Sequence, residues 1–257
     1  MTDAFHAVAR GLRVAHAGYL LTCWGATSAG ILIWIISNTY YSPDYMRLVL
    51  WSGFWLNVSI GVGGVVTGIV GRVRCLRTPP EFPAVRGRAI AAVVLEGSGW
   101  LSGFAGAGVG IAMGYRYLPQ EPWVLLIGGI FSTLLLLGGR ILFLRFLRVL
   151  ARVVEDNTTA RRADYSLALF LADWGAGLLG AGIAAAGSAL SSYQLSTPLA
   201  FFVWILTGMS GLAGLVLYDR VLGGLTKSVR AFADDHRDDE EERYRSREDD
   251  DVPERAG

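Results

Sequence analysis

The residues best placed to do chemistry are two acids inside apolar stretches, Glu96 and Asp173. Glu96 lies about seven residues into the stretch 89–114, hence roughly 10 Å deep at 1.5 Å per residue. Asp173 lies at a similar depth in the stretch 166–190. A carboxylate is costly in hydrocarbon, so each must face protein, water or a cation. Two chemistries are open to them: cation or proton binding on a pathway, or a buried ion pair. Arg72, Arg140 and Arg220 end three other apolar stretches near the same level and can reach inward along their long stems. Glu96–Arg140 and Asp173–Arg220 are the first pairings to test. Both acids lie near one edge rather than at the midplane, where transporters bind, which favours locks over a transport site.

Little else in the chain is reactive. His6, His16 and His236 are far apart and have no acid at catalytic spacing. Cys23 sits in an apolar stretch and Cys75 in a charged one, so a disulfide between them is not expected. Gly106-Ala107-Gly108-Val109-Gly110 resembles a nucleotide loop only superficially, because no strand precedes it and no Lys-Ser/Thr follows. No nucleophile–base pair and no metal-ligand spacing emerges. The sequence therefore predicts no catalytic residue, no metal and no cofactor, and a protein that is not an enzyme.

The elements that must position the two acids are helices. Of 257 residues, 53% are apolar, 33 are glycine and only 18% are charged, with a mean hydropathy of +0.42. An average soluble domain is about 25% charged. Six apolar stretches, 17–37, 48–71, 89–114, 122–143, 166–190 and 198–222, are each long enough to cross a hydrocarbon core of about 30 Å. They lack the period-2 alternation of barrel strands, so the expected fold is all-α, a polytopic six-helix transmembrane bundle. Arg10 and Arg13 precede the first stretch, which is too long for a cleaved signal and reads as a retained span.

Charge orients this bundle. Twenty-one of the 23 basic residues flank the ends and the two long loops on one side, and only Arg47 and Arg116 lie on the other. The positive-inside rule then puts both termini in the cytoplasm and the short loops 38–47, 115–121 and 191–197 outside. Aromatics such as Tyr40, Tyr41, Trp51, Trp55, Tyr115, Tyr117 and Tyr193 gather toward those short loops as an interfacial belt. Lys227 is the one lysine, a bias of GC-rich bacterial genomes, so the inner membrane of a bacterium is the expected location.

The domain plan is an amphipathic cytoplasmic segment over 1–16, a transmembrane domain over 17–230 and an acidic tail over 231–257. Residues 234–257 carry a net charge of −7 and the rest of the chain +8. A segment so charged and so poor in apolar residues is expected to be disordered. Its acidity argues against nucleic acid as a partner. The six spans form three hairpins, and Gly71-Arg72, Gly139-Arg140 and Asp219-Arg220 suggest an internal repeat that would equate Cys23, Glu96 and Asp173. Small residues at four-residue spacing let helix backbones approach closely. They occur as Gly64 and Gly68 in the second span, and as Gly99, Gly103, Gly106, Gly110 and Gly114 in the third. Their expected use is helix packing, within the bundle or against a second copy or a membrane-protein partner. The lipid bilayer is the one certain partner of such a sequence, and the reading favours a non-catalytic scaffold or assembly subunit. The alternative is a small-solute or cation transporter that uses Glu96 and Asp173.

Overall fold

The structure is a computed structural model that describes residues 2–38, 44–79, 81–114, 122–189, 209 and 212–238. Among these, the regular elements are all helical: α1 (Thr2–Asn38), α2 (Asp44–Cys75), α3 (Pro83–Gly114), α4 (Pro122–Val153), α5 (Asn157–Ala189) and α6 (212–238). Three of them contain stretches long and apolar enough to cross a membrane: Leu48–Cys75, Pro83–Gly106 and Ile127–Val153. Two sequence boundaries move. The segment 1–16 is not separate, because from Thr2 onward it forms the first turns of α1. Residues 231–238, placed in a disordered tail from their charge, continue α6, where Val229 and Ala233 are fully buried. The tail residues 239–257, the short loop 115–121 and most of the other two short loops lie outside the described residues, as do Tyr40, Tyr41, Tyr115, Tyr117 and Tyr193.

The helices are longer than a bilayer requires. At 1.5 Å per residue, the 37 residues of α1 span about 55 Å and the 32 of α2 about 48 Å, against a hydrocarbon core of about 30 Å. The surplus lies at one end, and the burial pattern shows it. Phe5, Val8 and Leu12 of α1, Val85 and Ala89 of α3, Phe146, Leu147 and Leu150 of α4, and Leu222, Leu225 and Val229 of α6 form one buried core. Toward the other end the apolar side chains turn outward, as with Leu48 (71% exposed), Leu101 (73%), Ile127, Leu134, Leu178 and Leu212. Water would not leave so many large apolar groups uncovered on every helix. The bundle has a core where its surroundings are aqueous and an apolar exterior where they are lipid, which points to a membrane protein.

Connections at the core end are short and well satisfied. Pro83 starts α3, where its missing N–H costs nothing, and Val85 N–H and Arg86 N–H both donate to the Phe82 carbonyl at 3.1 Å. Between α4 and α5, Glu155 adopts the left-handed region (φ 59°) usually taken by glycine. Glu155 N–H donates to Arg152 O (3.2 Å) and Asp156 N–H to Ala151 O (2.8 Å), closing α4. Asp156 then caps α5: its carboxylate accepts from Thr159 N–H (2.9 Å) and Thr159 Oγ1 (2.6 Å), and from Ser228 Oγ of α6 at 2.7 Å. Partial burial works against this carboxylate, but the Thr159 and Ser228 hydrogen bonds outweigh it and hold its pKa below the usual range.

Two hairpins are joined backbone to backbone. On α1, Gly11, Gly18 and Gly25 recur every seven residues and meet Gly71, Gly64 and Gly68, and Gly61 on α2. A Cβ built on Gly18 would lie 2.2 Å from the Gly68 nitrogen, and one on Gly71 2.2 Å from the Ala15 nitrogen. The contact is directional, since a Cβ on Gly68 meets nothing within 4 Å. The α3–α4 seam is similar: a Cβ on Gly99 would lie 2.9 Å from the Leu136 nitrogen, one on Gly139 2.8 Å from the Glu96 nitrogen, and Ser132 Oγ donates to the Gly99 carbonyl at 2.8 Å.

Two outcomes follow. Gly18→Ala should lower stability by about 1–3 kcal/mol, because backbone cannot yield to the new methyl. Gly68→Ala should be neutral or gain up to about 1 kcal/mol from helix propensity. Thermal unfolding in detergent reads both, and equal effects would refute the directional seam. Separately, Asp156→Ala should cost about 1–2 kcal/mol at neutral pH. The native pKa is depressed, so this contribution is present above the unfolded value of about 3.9 and is lost as pH falls through the native one. The gap between native and variant unfolding temperatures should therefore shrink on acidification below about pH 4.

Candidate functional site

All six helices send a side chain to one layer, at the level where the exterior changes from apolar to polar. It is built around two arginines. Arg72 of α2 is 5% exposed and forms an ion pair with Glu96 of α3, itself 6% exposed. The Arg72 guanidinium also lies 4.5 Å from the ring centroid of Phe143 on α4, and its Nη2 donates to the Tyr218 hydroxyl of α6 at 3.5 Å. One side chain of α2 thus touches three other helices. Glu96 is aligned for it from behind, because Gly139 has no side chain and lets α4 lie against the Glu96 backbone.

Arg140 takes a different role from the one expected. It is not the partner of Glu96. Its guanidinium sits among three rings, 4.8 Å from Tyr218, 5.4 Å from Tyr19 and 5.8 Å from Phe170. Tyr19 and Tyr218 meet edge to face at 4.7 Å, and the Tyr19 hydroxyl donates to Leu215 O at 3.3 Å. A guanidinium is weakly hydrated and favours aromatic faces, so this cage holds it where an ammonium would be poorly satisfied. Arg140 and Asp173 line the same cavity of about 170 Å³, with Tyr19, Phe170 and Tyr218. A smaller cavity of about 80 Å³ lies on the other side of Arg140 and carries Arg72, Glu96, Thr22 and Cys23. Four charges, two of each sign, therefore border two adjoining hollows.

Of the remaining sequence-derived residues, Gly64 and Gly68 also line the smaller cavity. Arg220 lies on α6 and is exposed. Gly64, Gly99 and Gly103 sit at helix contacts, Gly68 is approached through its backbone, and a Cβ on Gly106 would meet nothing within 4 Å. Gly110 and Gly114 continue α3 beyond the residues whose packing is described. The repeat that equates Cys23 with Glu96 is not kept in register. Gly139 lies opposite Glu96, whereas Gly71 lies opposite Ala15, eight residues or about 12 Å from Cys23.

Several participants were not singled out from sequence. Tyr19, Phe143, Phe170 and Tyr218 look like ordinary span residues until the helices are assembled. Two of the three histidines do find acids, supplied by α6: His16 Nε2 lies 2.5 Å from Asp219 Oδ1 and His6 Nε2 3.5 Å from Asp234 Oδ1. The seven-residue recurrence of Gly11, Gly18 and Gly25 was a legible signal for the α1 seam. Among the described residues, no three His, Cys, Asp or Glu side chains converge as a metal cluster would require.

The ion pair gives a test. Glu96→Gln strands a buried guanidinium and should cost about 3–5 kcal/mol, read as lost folded yield in detergent. The double variant Arg72→Met/Glu96→Leu removes both charges and should recover most of that loss. A double variant no better than Glu96→Gln alone would show that Arg72 and Glu96 do not act as a pair.

Neither a protein-family model, nor a curated protein, nor a solved structure matches this chain, so its chemistry is argued from its own residues.

Proposed function

We propose that this chain is a six-span protein of a bacterial inner membrane, with both termini cytoplasmic. We further propose that it serves there as a non-catalytic scaffold or assembly subunit. The observation that carries the reading is the use made of Glu96. An intramembrane acid with a transport role needs access to water or to its ion, whereas this one is neutralised by Arg72 and bound into the packing of four helices. The glycine seams and the aromatic cage around Arg140 serve rigidity in the same way. The orientation rests on charge: the buried core end carries Arg74, Arg77, Arg145, Arg148 and Arg152.

A second reading has one observation in its favour. The cavity of about 170 Å³ is lined mainly by apolar and aromatic side chains but carries one charge of each sign, Arg140 and Asp173, which is the kind of group a transporter would use to hold a small ionic solute.

Extraction in a mild detergent from native membranes, followed by the intact mass of the particle, separates the two. A scaffold should leave the membrane with a stoichiometric partner subunit. A lone monomer or homo-oligomer would overturn the scaffold reading. In that case solute uptake by Asp173→Asn in vesicles becomes decisive, and loss of uptake with unchanged folded yield would establish the transporter.

A further inference from the structure

The core end carries a basic hollow that the charge layer does not use. Arg10 of α1, with Arg74 and Arg77 just beyond the α2 seam, lines a cavity of about 260 Å³ floored by Ala7. The three side chains are held together by the glycine seam itself: a Cβ on Gly11 would lie 3.0 Å from the Arg74 Cβ. Two other cations at this end are paired, Arg148 with Asp164 at 3.0 Å and Arg230 with Asp234 at 3.9 Å. Among the described residues, no acid forms an ion pair with Arg10, Arg74 or Arg77. Three exposed guanidiniums around one hollow are a receptor for a doubly bonded oxyanion such as phosphate.

The neighbourhood says which phosphate. Val66, Val70 and Val73 are all exposed and lie at i, i+4 and i+7, one stripe on α2, and Arg77 lies in the turn that follows the helix end at Cys75. The stripe starts on the apolar exterior and ends at the basic hollow. Arg74 lies about 3 Å beyond Arg72 along the helix, and Arg77 follows in the turn where its N–H donates to the Arg74 carbonyl at 3.2 Å. A headgroup layer is about 5–8 Å thick on each side of the hydrocarbon. An acyl chain along the valines thus delivers a headgroup phosphate to the arginines.

We infer that Arg10, Arg74 and Arg77 form a binding site for the phosphate of an anionic phospholipid, whose acyl chain follows Val66, Val70 and Val73. The inference rests on the membrane reading above but is independent of the choice between scaffold and transporter.

The test is lipid titration of the detergent-solubilised full chain, with bound lipids counted by native mass measurement and phosphatidylglycerol compared with phosphatidylcholine. The native chain should bind phosphatidylglycerol at least about tenfold more tightly. Arg10→Gln/Arg74→Gln/Arg77→Gln should lose that preference, and Arg77→Gln alone should lose part of it. The charge-matched control Arg152→Gln/Arg161→Gln/Arg162→Gln should keep it. Equal loss in the control would mean diffuse attraction to any basic surface and would overturn the site. So would no preference in the native chain that appears only when the acids of 239–251 are changed to amides, because the chain's own acidic segment would then be the occupant. Recovery of the chain outside the membrane fraction would remove the membrane reading and this inference together, whereas the other outcomes leave the membrane reading intact.

Discussion

The buried ion pair between Arg72 and Glu96 constrains the rest of the structure. Removing two charges from water costs several kcal/mol per ion, and attraction in the interior offsets this only when the geometry is held. The surrounding elements do the holding. α3 must present Glu96 at the level of Arg72, and it does so because Gly139 allows α4 to lie against the Glu96 backbone. α2 must carry Arg72 inward, and it does so because Gly71, one residue earlier, is seated on Ala15 of α1. Phe143 and Tyr218 then cover the guanidinium. The glycines and the charges are thus one device, with close backbone contact setting the register and the ion pair penalising any slip from it.

Depth explains why this layer lies where it does. A guanidinium on a long stem tolerates the edge of a hydrocarbon phase far better than its centre. Above the layer the helices expose Leu101, Ile127 and Leu134, and below it they bury Phe146, Leu147 and Leu150. The hydrophobic effect builds the core only below, where water is the competitor. Above, lipid tails are as apolar as the side chains, so cohesion there depends on small residues and dispersion. Seams based on Gly18, Gly25 and Gly99 are the expected answer to the loss of that driving force.

The helical class, the apolar stretches and several packing glycines were legible because each depends on composition or spacing along one helix, whereas the core-end extensions of α1, α4, α5 and α6 beyond those stretches were not. The charge pairing was not. Sequence gives the depth of Glu96 but not the rotation of α3 about its axis, and that rotation decides between Arg72 and Arg140. The reach of α6 was misjudged for a related reason. Asp234, Asp235 and Asp238 dominate the composition of that segment, while Val229, Phe232, Ala233 and His236 trace the face that packs back on Phe5. The pairing of His16 with Asp219 spans more than two hundred residues, so no local pattern could announce it.

The third hairpin departs from the other two, and the departure has a physical consequence. Where α2 and α4 have glycine before arginine, α6 has Asp219, and Arg220 faces outward. Its glycines make only ordinary or mildly tight contacts, Gly223 at 3.7 Å from His16 and Gly224 at 3.2 Å from Thr159. α6 is held instead by apolar side chains and by polar contacts at the core end: Asp219 to His16, Asp234 to His6, Ser228 to Asp156 and Leu215 O to Tyr19. Backbone seams act through shape alone, whereas these contacts run through polar side chains, several of them charged. The hairpins α1–α2 and α3–α4 are therefore the parts of the molecule joined backbone to backbone. α6 is the element held through side chains, and it is also the one that leads into the acidic segment 239–257.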